Sequence, residues 1–138
     1  MAKSILDLLD ESESTSRNSG ITNLVSILFK AQMEAHITHI LQRKKLLCEH
    51  QALATFYDEI DGLIDSLAEL CMAHGLINNI SVSSCSEIVN SESYFKSLYT
   101  QVEGYRSEIS VVPFLTNKLD EIQELISQTI YRLKFIQS

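Results

Sequence analysis

Apolar residues recur at spacings of three and four along most of this chain, the period of helices with one buried face. Ile21, Leu24, Val25, Leu28, Gln32, Ala35 and His39 share a face and predict a helix from about residue 21 to about residue 43. Leu53, Phe56, Tyr57, Ile60, Leu63, Ile64, Leu67 and Cys71 form the stripe of a second, from about 48 to about 74, with Gly75 as its stop. From Leu76 to Asn90 the period breaks, among Asn78-Asn79, several serines and the β-branched Ile80 and Val82. Ser91 or Ser93 then suits the cap of a third helix carrying Phe95, Leu98, Tyr99, Val102 and Tyr105. Pro113 suits the first turn of a fourth, with Leu119, Ile122, Leu125, Ile126, Ile130, Leu133 and Ile136 on its core face.

Ahead of these lies a smaller pattern. Ile5, Leu8 and Leu9 make one short amphipathic stripe, and the polar run ESESTSRNSG from Glu11 to Gly20 reads as a flexible linker. The chain divides accordingly into an N-terminal tether with a short amphipathic helix, residues 1–20, and a four-helix bundle, residues 21–138. So short an apolar stripe cannot bury itself, so Ile5, Leu8 and Leu9 are expected to dock on the chain's own bundle or on a partner.

Connection lengths choose the topology. A few residues join the first and second helices, and the third and fourth, so each pair is antiparallel. About fifteen residues separate the second from the third. They reach ~50 Å when extended, and a helix of this length spans ~40 Å. The expectation is an all-α, ferritin-like four-helix bundle with one long crossover running its full length.

Composition changes this picture little. A chain of 138 residues fits one domain with a single core. The three cysteines, Cys48, Cys71 and Cys85, show no metal-ligand spacing and read as free thiols. No apolar run approaches a membrane span, and Met1-Ala2-Lys3-Ser4 does not open a signal peptide. A cytoplasmic protein is expected, or a virion component assembled in a bacterial host cytoplasm. The net charge of −7 argues against a direct nucleic-acid partner, since only Arg43-Lys44-Lys45 forms a basic cluster.

The chemistry-bearing residues concentrate between His36 and Glu69. His36 and His39 end the first helix, and Cys48-Glu49-His50 opens the second. His50, Asp58, Asp61, Asp65 and Glu69 then fall within about a third of the helix circumference, well away from the core stripe. Any metal site built from them lies on the bundle's flank. It differs from a bundle-centred di-iron site, which needs inward Glu-x-x-His pairs that this chain lacks.

This layout resembles the Dps branch of the ferritin superfamily. His39 matches a histidine at the end of the first helix, and His50 one at the start of the second. Asp65-Ser66-Leu67-Ala68-Glu69 matches the Asp-x-x-x-Glu pair further along. The chain departs at Ala54, where the family carries an aspartate, and at Ile40, where a tryptophan is common. Its length, its EHxAL and FYDEI patterns and its Leu133-Lys134-Phe135 end look closer to short Dps-like proteins of tailed bacteriophages.

The resemblance implies metal ligands His39, His50, Asp65 and Glu69, with the acidic pair supplied by a twofold-related subunit. It implies two functions. One is a structural subunit of an ordered homo-oligomer, a ring or 12-subunit particle with other assembly proteins, with a degenerate site and no cofactor. The other is a Dps-like ferroxidase and iron store. Ala54 favours the first, because it removes an oxygen donor that Fe²⁺ needs.

Overall fold

A computed structural model describes residues 11–42 and 46–136, with side chains from residue 20 onward. The chain forms α1 (Glu11–Leu41), α2 (Leu47–Ala73), α3 (Ser91–Glu103), the short α4 (Arg106–Ile109) and α5 (Pro113–Phe135). No strand occurs among the described residues, and no helix there is long and apolar enough to cross a membrane.

The apolar stripes meet in one core. Leu24 and Leu28 of α1, Phe56, Ile60 and Ile64 of α2, Phe95 and Val102 of α3, and Leu119, Ile122 and Ile126 of α5 are all buried in it. Phe56 and Phe95 meet edge to face at its middle, ring centroids 4.7 Å apart.

The short connection after Leu41 folds α2 back against α1. Phe114 at the start of α5 lies against His74 at the end of α2, 5.4 Å between centroids. Arg132 and Ile136, at the other end of α5, lie beside Cys48. Thus α5 is antiparallel to α2. The Ser91 hydroxyl donates to Glu49 at 2.7 Å, so α3 begins where α2 begins and the two run in the same direction.

Between them, residues 74–90 run along α1. Lys30 donates to the Ser83 hydroxyl at 3.1 Å, the Ser86 N–H to Glu34 at 3.1 Å, and the Ile88 N–H to the Thr38 hydroxyl at 2.8 Å. The partners climb α1 one turn at a time, so the segment returns the chain to the α1–α2 junction.

Element ends differ from expectation in specific ways. The run Glu11–Gly20, expected as a linker, belongs to α1. It contains no proline, and adding turns to an established helix costs far less than starting one. The cap of α3 is Asn90, whose side chain accepts from the Ser93 N–H at 2.9 Å, rather than Ser91 or Ser93. The third helix stops at Glu103, and Arg106–Ile109 makes a separate turn before α5. Tyr99 and Ile136, expected in the core, are exposed. Gly75 does stop α2: its φ is +67°, and the Leu76 N–H reaches the Cys71 carbonyl at 2.8 Å while the Gly75 N–H reaches that of Met72.

Candidate functional site on the flank of α1 and α2

His39 lies in the last turn of α1 and His50 in the first turn of α2, so the tight connection sets them side by side. Their rings stack with centroids 3.6 Å apart and 19° between planes. The His39 Nδ1–H donates to the His50 carbonyl at 2.9 Å, which orients the His39 ring. Both histidines are half-buried.

The row continues down the seam. His36, one turn back on α1, stacks on Tyr57 at 4.1 Å. Tyr57 also meets His39 in a T-shaped pair, ring centroids 5.3 Å apart. Gln32 donates to the Tyr57 carbonyl at 3.2 Å and to Asp61 at 2.9 Å. Gln32 and His39, read as core-facing from the sequence, lie on this seam, while Ala31, Ala35 and Thr38 are buried in α1. The apolar stripe of α1 is broad, and its edge against α2 tolerates polar groups that find partners there.

His36 and Tyr57 were not among the residues singled out as ligands. Their signal was present in the spacing, since Gln32–His36 and Tyr57–Asp61 are each four apart and share a helix face.

The acidic pair stands elsewhere. Asp65 and Glu69 are exposed on α2, along with Asp58 and Asp61. His50 and Asp65 are fifteen residues apart on one helix, ~22 Å along its axis. A single chain therefore does not bring the histidine pair and the acidic pair together. No group of three or more His, Cys, Asp or Glu side chains converges to hold a metal among the described residues. Stacked rings also send their lone pairs side by side rather than toward one point, so this pair does not grip a single ion as it stands. Ile5, Leu8 and Leu9 lie outside the described residues.

A second polar cluster holds the crossover. Glu34, 7% exposed, accepts from the Tyr94 hydroxyl at 2.8 Å as well as from Ser86. Thr38, fully buried, donates to the Glu34 carbonyl and accepts from Ile88. Burial, and then the hydrogen bond to Glu34, pushes the Tyr94 phenol far above its ordinary range, so it stays a donor. Each polar group named here has a partner, as burial requires.

One protein family, described as a family of unknown function (DUF5856), matches residues 41–133. No curated protein and no solved structure matches the chain.

Proposed function

We propose that this chain, which belongs to the DUF5856 family of unknown function, is a structural subunit of an ordered homo-oligomeric assembly such as a bacteriophage virion. The bundle is read as ferritin-like and Dps-like, with a metal site that no longer works. The helix directions and the crossover along α1 support the ferritin-like part of that reading.

The observation that carries the assembly role is the α1–α2 end of the bundle. Ile40 is 65% exposed, Leu47 59%, Val89 92% and Phe135 62%, all at this end. Apolar side chains so concentrated mark a surface made to be covered.

A second reading, an iron-oxidising cage, is favoured by the adjacency of His39 and His50 and by the open acidic pair Asp65–Glu69. In it Fe²⁺ is the substrate, held between the histidines of one subunit and Asp65 and Glu69 of a twofold-related partner subunit. Ala54 and the stacking of the two rings weigh against it.

Anaerobic Fe²⁺ titration of the purified protein, with light scattering on the same sample, separates the two. The structural reading expects an oligomer without stoichiometric Fe²⁺ binding. Rapid Fe²⁺ oxidation on admitting oxygen overturns it in favour of the cage, and a monomer at every concentration overturns both.

A further inference from the structure

The apolar end has a definable occupant. Its exposed residues come from four places in the chain: Ile40 of α1, Leu46 and Leu47 at the start of α2, Val89 of the crossover, and Phe135 and Ile136 at the end of α5. Leu46, Val89 and Leu133 line a groove of about 230 Å³ together with Cys48 and Ser91. Arg132 and Lys134 stand in the last turn of α5 at this end, and in the sequence Arg43-Lys44-Lys45 falls between Leu41 and Leu46. The two carboxylates in the groove wall already have partners: Glu49 accepts from Ser91, and Glu92 is paired with Lys96 at 2.9 Å.

The chain carries a segment with the complementary chemistry. Ser4–Glu13 reads SILDLLDESE: Ile5, Leu8 and Leu9 on one stripe, Asp7, Asp10, Glu11 and Glu13 around it, and no Lys or Arg. It joins the bundle at Glu11, where α1 begins. From there to Ile40 is twenty-nine residues of helix, ~44 Å. Ile5 is six residues from Glu11 and reaches at most ~22 Å even fully extended. The segment of one chain therefore cannot touch the apolar end of its own bundle.

We infer that residues 4–10 of one copy dock on the Leu46–Leu47–Val89–Phe135 end of a second copy, in a head-to-tail contact. Such a contact joins two different surfaces and so builds a ring or an extended array rather than a closed twofold pair. Charge favours this end over the near one: the last turn of α5 carries Arg132 and Lys134, whereas the last turn of α2 carries no basic residue. The inference rests on the assembly reading and gives it a specific contact.

The test uses the full chain with two substitutions. Leu8→Asp removes the donor. Val89→Asp spoils the acceptor at a residue 92% exposed, where no packing is disturbed. In light scattering, the natural chain is expected to gain mass with concentration and each variant alone to lose that growth. An equimolar mixture should regain one contact per pair, since each variant keeps the half that the other lacks. A peptide of residues 1–14 should bind the Leu8→Asp chain and bind the Val89→Asp chain at least about tenfold more weakly. Circular dichroism of each variant confirms that the helices remain, and the peptide measurement on Val89→Asp decides the matter if Leu8→Asp does not fold. An oligomer whose mass ignores both substitutions, or a peptide that binds both chains equally, overturns the head-to-tail contact and leaves the assembly reading standing. A natural chain that stays monomeric overturns both.

Discussion

Glu34 shows how one residue can fix a long connection. It is buried and makes no salt bridge among the described residues, yet both carboxylate oxygens are satisfied, by Tyr94 and by the Ser86 N–H. Glu34→Ala removes the acceptor of the half-buried Tyr94 hydroxyl and of the Ser86 N–H, and losing hydrogen bonds to a charged group costs about 1–3 kcal/mol. Urea unfolding at neutral pH should show a loss of that size. Tyr94→Phe removes one bond and should cost about 1 kcal/mol. Glu34 was not legible as a key residue, because a glutamate on an amphipathic helix reads as a solvated position until the segment that covers it is placed. The cysteines were legible. Burial pushes the Cys71 thiol up to about 11, and Cys48 is also buried, whereas Cys85 lies half-exposed on the crossover. A thiol reagent at pH 8 should therefore label Cys85 first and reach Cys71 only on unfolding, which mass spectrometry of peptides would resolve.

At the scale of elements, stops and starts were read well where a single residue carries the signal. Gly75 and Pro113 lie where the sequence places them, because a positive φ and a missing N–H each have one natural position at a helix end. Helix periodicity gave the four main stripes for the same reason: the pattern is repeated over many residues. It failed at Glu11–Gly20, where polar residues carry no period and propagation from Ile21 decides, and at Tyr105, where a break after Glu103 makes α4 a separate turn. The cap of α3 went to Asn90 because Ser91 is occupied by Glu49. Asn90→Ala should cost about 1 kcal/mol, and Gly75→Ala about 1–2 kcal/mol from forcing a side chain into left-handed backbone. The joint between α3 and α5 predicts an acid response. Glu103 is held below the usual glutamate range first by its hydrogen bond from Arg106 and then by that from Gln123. A lowered folded value stabilises above the unfolded value and is lost as pH falls below about 4.5. Glu103→Gln should therefore lessen the dependence of stability on pH in that window, as thermal melts from pH 3 to 6 would show. The site was half legible: the histidine pair could be placed from its position either side of a short turn, but its stacking could not.

For the whole molecule, the distance between the two halves of the site decides what chemistry is available. About 22 Å of α2 separates His50 from Asp65, so any ion held by both belongs to an interface between subunits. Two imidazoles stacked at 3.6 Å, with one His39 nitrogen committed to a carbonyl, form a weak half-site, and hard Fe²⁺ wants oxygen donors beside them. Position 54 is one helical turn beyond His50, half-buried, and occupied by alanine. Ala54→Asp places a carboxylate next to His50 and should raise Fe²⁺ affinity at least about tenfold if a twofold neighbour brings Asp65 and Glu69 within reach, a gain of about 1.4 kcal/mol. In a head-to-tail assembly no such neighbour faces the histidines, and the same substitution should change Fe²⁺ binding little. His50→Ala divides the alternatives from the other side. It should leave the mass of the assembly unchanged if the subunits meet through the apolar end, and lower it if they meet across the flank. Fe²⁺ titration of the first variant and light scattering on the second thus read the symmetry of the assembly from one helix.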